Sequence, residues 1–327
     1  MGARRGVTGE ALRTYSHLAD ARRVPTEYEI GTSRLLYYGE RGFEVDVPIA
    51  GWYARHQAGS RWHPIDWERF ADPRETTYAA YTRAQAAKEA FVDGVLRTID
   101  ESPYDRELSP TARALLDRTI APLRHVFHAR QMIAAYVGSM APSGRIAVAA
   151  LFQAADELRR VHRFAYRLAQ LRRVDAAFGA GARAAFEGAP AWQPLRRVLE
   201  RLLVTWDWAE AFVALDLVLA PALDHLVFVG LPAIARARGD FLLGQIAASL
   251  DEDAQGHKQW VRALARLAHA ESDVNRAATV DWIAAWAPEV DAAIEALAPL
   301  LTDDDEATAA VAAARAAAAA FRDEALA

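Results

Sequence analysis

Cysteine is absent from the 327 residues. That removes disulfides, thiolate metal sites and a cysteine nucleophile, and leaves carboxylate, histidine or serine side chains to carry any chemistry. It also fits the reducing cytoplasm. Equally missing are a phosphate-binding glycine loop, a Gly-x-Gly-x-x-Gly turn, a Gly-x-Ser-x-Gly elbow and a His-Glu-x-x-His helix, so nucleotide, esterase and zinc-protease chemistry lack their motifs. No uncharged run reaches the roughly 18 residues of a membrane span. The first fifteen residues carry Arg4, Arg5, Glu10 and Arg13 with no apolar centre, unlike a secretory signal. A cytoplasmic protein that does not enter the membrane is expected. Charge of one sign is not concentrated either: the net charge is −5 and the 38 basic residues are dispersed, so there is no track for nucleic acid.

What is present is apolar bulk, 53% of residues, in a helical rhythm. The segments 76–99, 109–140, 143–174, 193–219, 221–238, 241–270, 272–301 and 304–325 read as helices, with starts signalled at Asp72-Pro73, Ser109-Pro110 and Thr302-Asp303. In the third segment Leu151, Ala154, Leu158, Val161, Ala165 and Leu168 recur at steps of three and four. Arg159, Arg160 and Arg163 lie off that stripe, which predicts aliphatics inward and arginines outward. No alternating strand pattern survives beyond the N-terminal region, so the fold class is all-α.

Residues 1–72 differ. Turn and extended signals at Arg23-Val24-Pro25, Val47-Pro48 and His63-Pro64 are mixed with Tyr28, Tyr37, Tyr38, Phe43, Trp52, Tyr53, Trp62 and Trp67. Such an aromatic arm either folds back on its own helices or docks on a partner; for a partner, Tyr28, Tyr37, Trp52 and Trp62 are the candidate anchors. The expected organisation is an extended arm (1–72), a helical domain (73–301) and a C-terminal helix (302–327). Residues 307–327 are almost wholly alanine, which favours helix yet offers little bulk to bury; a peripheral helix that frays is expected.

Helical bundles of this kind host two-metal carboxylate sites, which need Glu-x-x-His on two helices and an inward Glu on each of two others. Asp156-Glu157-Leu158-Arg159-Arg160 has that shape with Arg160 in the histidine position, and a guanidinium cannot ligate a metal. The wheel places Glu157 and Arg160 on a helix flank as an ordinary i,i+3 ion pair. The second candidate, Leu250 to His257, fails in either register: Glu252 meets Gln255 on the solvent side, and the inward pair is Ala254 with His257. Asp253 and His257 share a face and are expected as a buried hydrogen-bonded pair. Nearby stand only His125, His128, Arg130 and Gln131 before the first motif, and Asp216, Asp224 and His225 before the second. The carboxylates are too few for two irons, so no catalytic, cofactor-binding or metal residue is assigned.

These residues also carry a family resemblance. Arg23-Val24-Pro25-Thr26-Glu27-Tyr28-Glu29, Gly42-Phe43-Glu44-Val45-Asp46, Trp52-Tyr53 and Asp66-Trp67-Glu68-Arg69-Phe70 with Asp72-Pro73 resemble the N-terminal half of toluene monooxygenase hydroxylase β subunits. Pro122-Leu123-Arg124-His125, Met140-Ala141-Pro142-Ser143, Asp156-Glu157-Leu158-Arg159, Trp206-Asp207-Trp208 and Asp253-Ala254 with His257 and Trp260 are similar to the same family in the same order, from about Tyr15 to Pro299. Phenol hydroxylases and alkene or isoprene monooxygenases are neighbouring branches.

The resemblance implies a ferritin-like fold without its own metal. It implies a place beside a diiron α subunit and a γ subunit in an (αβγ)2 hydroxylase, served by an effector protein, a ferredoxin and an NADH-dependent reductase. The activity so implied is insertion of one oxygen atom of O2 into an aromatic ring or alkene. A stand-alone helical diiron oxidase would need carboxylates that the sequence does not supply, and a helical repeat scaffold would show a repeat period that is not found.

Overall fold

In the computed structural model the described residues are 18, 24–33, 48–302 and 304–327. Tyr37, Tyr38, Phe43 and the first dozen residues of the sequence lie outside them. Two short helices, α1 (Glu27–Thr32) and α2 (Pro48–His56), punctuate the arm. They are followed by α3 (Tyr78–Asp100), α4 (Tyr104–Glu107), α5 (Pro110–Met140), α6 (Gly144–Arg172), α7 (Ala182–Gly188) and α8 (Gln193–Leu203). A continuous helix α9 (Trp208–Ala237) then leads to α10 (Leu242–Glu271), α11 (Asp273–Leu301) and α12 (Asp304–Leu326). There is no strand among the described residues.

Local chemistry sets the ends. Thr77, Ser109, Ser143 and Ser272 each accept a hydrogen bond from a backbone N–H in the first turn of the helix they open. One predicted boundary is displaced. The chain breaks at residues 204–207 rather than before Pro221, because Asp207 accepts from Ala209 and Glu210 N–H to start α9. A wider π turn, Val213–Leu219, then ends where Pro221 would otherwise interrupt the hydrogen-bond ladder. Helix α9 is long and apolar enough to cross a membrane by composition, but 89% of that window is buried inside the protein, so its composition is that of a central core helix.

One hydrophobic core runs from Trp62 to Ala325. Helices α5 and α6 pack closely: a Cβ on Gly138 would come 3.0 Å from Leu151 Cγ and 3.2 Å from the Ala147 carbonyl, so a larger residue there would require its neighbours to shift. The arm enters the same core. Trp62 packs on Trp67, Trp208 and Phe212 and donates its indole N–H to Thr279 Oγ1 at 3.0 Å. Tyr28 is buried, its hydroxyl accepting from the Asp72 N–H at 2.9 Å. Trp62 therefore fastens the arm onto its own helices and Tyr28 is tied to the arm's own end, so neither is a partner anchor; Trp52 rests half-buried against His56 and Trp206. The alanine-rich α12 is seated too, burying Val311, Ala314, Ala318, Phe321 and Ala325 in the common core, since small side chains let it approach closely.

The largest departure from the sequence pattern is the orientation of α6. Leu151 is 47% and Leu158 39% exposed, whereas Arg160 is 0% and Arg163 6% exposed; Ala154 and Leu168 of the same expected stripe are buried, so the helix is turned to bring its arginines inward and is not inverted. Helix α3 explains part of it. It lies alongside α6 and binds through polar groups: Tyr81 to Asp156, Glu89 to Arg159 and Arg163, Asp93 to Arg163, and Asp100 to Gln170 and Arg173. The arginines face inward because carboxylates wait there.

Candidate functional site

The sequence motif Glu157-x-x-Arg160 lies at the centre of the bundle, not on a flank. Glu157 Oε1 accepts from Arg160 Nη1 at 2.6 Å and lies 2.7 Å from Arg130 Nη2. Arg130 also spans Asp224, at 2.6 and 3.3 Å, and Arg160 Nη1 stands 3.4 Å from the same carboxylate. Helices α5, α6 and α9 thus meet in two cations and two anions with almost no exposure to water. Phe127 and Phe228 stack across the cluster, and the Arg160 guanidinium lies 4.8 Å from the Phe228 ring centre, a favourable cation–π contact. Burial alone would lower the pKa of Arg130 and raise that of Asp224. The opposite charges outweigh it, so Arg130 is held above its usual range and Asp224 below the usual carboxylate range.

A second network adjoins it between α3, α6 and α10. His257 Nε2 is 2.8 Å from Asp156 Oδ2, and Asp156 Oδ1 accepts from Tyr81 and Gln85 at 2.6 and 2.7 Å. Burial and the Asp156 carboxylate push the Tyr81 phenol up, keeping it a proton donor. Asp253 receives Lys88 and Arg159, each at 2.6 Å. Asp253 and His257 are therefore both buried but bound to different partners, which corrects the expected pair. Glu252 and Gln255 turn to solvent as anticipated.

A small cavity lies between the two networks, lined by Gln153, Asp216, Asp224, Ala254 and His257 among others. Asp216 accepts from Gln153 Nε2 at 2.6 Å, and burial pushes its carboxyl up to about 7. Of the residues flagged in the sequence, the structure gathers Arg130, Glu157, Arg160, Asp216, Asp224, Ala254 and His257. His125, half-buried against Phe186, and the exposed His128 stand apart, as do Gln131 and His225. The gathering of Arg130 with Asp224 was missed because each is a lone charge in an apolar helix, with no local pattern to pair them.

The set does not fit a diiron centre. Glu157 and Asp224 are engaged by guanidiniums that cannot coordinate, and alanine occupies a carboxylate position. Among the described residues no group of three or more His, Asp or Glu side chains is arranged to hold a metal. Nor does the cluster present a nucleophile; its charges satisfy one another.

Outside, α6 exposes Leu151, Leu158 and Tyr166, α5 exposes Met132, and α3 exposes Tyr78 and Phe91.

The family model for methane/phenol/alkene hydroxylases matches residues 52–272. The chain is 35% identical, over 89% of its length and 91% of the relative's, to the hydroxylase component subunit beta of the toluene-4-monooxygenase system of Ectopseudomonas mendocina. It is 27% identical, over 72% and 70%, to an oxygenase component of the phenol 2-monooxygenase of Pseudomonas sp. strain CF600. A solved structure of toluene 4-monooxygenase superposes with a TM-score of 0.84 at 34% identity, covering 90% of this chain and 99% of the other.

Proposed function

The chain belongs to the methane/phenol/alkene hydroxylase family, and from that premise we propose that it is the non-catalytic β subunit of the hydroxylase component of a toluene, alkene or isoprene monooxygenase. The α subunit of that assembly holds the diiron centre at which O2 and NADH-derived electrons hydroxylate or epoxidise a hydrocarbon. This chain supplies no redox group. The assembly is (αβγ)2, works in the cytoplasm, and is served by an effector protein, a ferredoxin and a reductase. The arm (1–72), helical domain (73–301) and C-terminal helix (302–327) are kept as the working division of the chain.

The observation that carries the reading is the exposed apolar edge of helix α6. A helix with arginines inside and Leu151, Leu158 and Tyr166 outside is stable as a subunit whose apolar face is covered, and permanent subunit interfaces are the large, apolar kind. The occupant proposed for the α3–α5–α6 face is the diiron subunit. Behind that face, the buried charge cluster ties α5, α6 and α9 together, so the surface offered to the partner is rigid. Reconstituting hydroxylase from the separately produced subunits tests this. Oxygenation is expected only when this chain is included; activity of the α and γ subunits without it would refute the reading. The stand-alone oxidase is opposed by Arg130, Arg160 and Ala254 at the ligand positions.

A further inference from the structure

Four helices bring six positions to one point in the pattern of a two-metal carboxylate site: one residue each from two helices and a pair three apart from each of the other two. Here the single positions are Arg130 on α5 and Asp224 on α9, and the pairs are Glu157 with Arg160 on α6 and Ala254 with His257 on α10. Three positions keep a ligand type and three do not.

Charge is nevertheless conserved. Four carboxylates around two divalent ions are neutral, and so are Glu157 and Asp224 around Arg130 and Arg160. Arg130 forks Asp224 through both Nη atoms, but at Arg160 the geometry is that of charge matching and not of an optimised guanidinium pair. Arg160 reaches Glu157 through Nη1 alone, and Arg160 Nε, Arg160 Nη2, Arg130 Nε and Glu157 Oε2 are buried without a hydrogen-bond partner. An arginine fitted to a carboxylate uses its two-pronged fork. The surroundings also match a metal site: the Nε2 of His257 is engaged by the Asp156 carboxylate, the arrangement that orients a ligating histidine and leaves its Nδ1 as the coordinating nitrogen.

We propose that Arg130 and Arg160 act as built-in substitutes for two metal cations, and that the space between α5, α6, α9 and α10 is a latent transition-metal site. Arg130→Glu, Arg160→His and Ala254→Glu together restore it. The inference stands on the fold and the cluster, so its failure leaves the proposed subunit role untouched.

The test uses the full chain and Co2+ alone as the probe, with metal per chain measured after desalting and the visible absorption of bound Co2+ recorded. The triple variant is expected to retain about two Co2+ per chain and to melt at a higher temperature with Co2+ than without; the natural chain is expected to retain none. A triple variant with natural helical content that takes up no Co2+ overturns the proposal, as does stoichiometric retention by the natural chain. Should the triple variant not fold, Arg160→Met is compared with Arg160→Met/Glu157→Gln. Replacement of a cation predicts a lowered melting temperature that the second substitution partly restores; equal losses overturn it.

Discussion

Asp216 sits in the core of α9 with its proton favoured, because burial raises its carboxyl to about 7 against roughly 3.9 in an unfolded chain. The folded state therefore holds a proton that the unfolded state releases. This contribution to stability is complete below about pH 4 and is lost as the pH rises through about 7, a swing of about 4 kcal/mol at most. Asp216→Asn, which keeps the acceptor for Gln153, is expected to match the natural chain near pH 4 and to melt at a higher temperature than it at pH 8. Thermal melts of both across that range check it. Trp62→Ala removes a ring that fastens the arm to α9 and α11 and is expected to cost about 3–5 kcal/mol in urea unfolding. At this scale the sequence showed that arginine stands where a histidine ligand would, since spacing alone reveals it. It did not show that Arg160 is buried, because besides Glu157 the cluster draws on Asp224, 64 residues away, and a helical wheel sees one helix.

Helix positions were largely legible, because periodicity and capping residues are local; α3, α5, α6, α10, α11 and α12 begin and end within a few residues of expectation. The break before α9 was misplaced because proline reads as a stop unless a π turn absorbs it. The facing of α6 was partly misread for a different reason. The stripe is real, but an apolar stripe says only that something covers it: this chain buries Ala154 and Leu168 and leaves Leu151 and Leu158 partly exposed. Leu158→Glu/Tyr166→Glu is therefore expected to leave the isolated chain folded, with a stability loss of about 1 kcal/mol, while abolishing co-purification with the diiron subunit. Loss of folding, or unchanged co-purification, would show that the face is wrongly assigned. Ala318→Leu tests the close seat of α12: overpacking a buried alanine is expected to cost about 1–3 kcal/mol, measured by thermal unfolding.

For the whole molecule, composition and rhythm were enough to give an all-α fold, and missing ligands were enough to question a metal site. The docking of arm and tail into one core was not legible, since aromatic and alanine-rich segments are equally suited to self-packing and to partners. On the proposed reading the metal resides in a partner diiron subunit and this chain carries none. The most direct measurement is iron content per chain, taken together with mass by light scattering, on this chain alone and on the complex with its diiron subunit. About two irons per α subunit in a complex holding equal copies of both chains, and none on this chain alone, is expected; iron bound to the isolated chain together with oxidase activity would contradict the account.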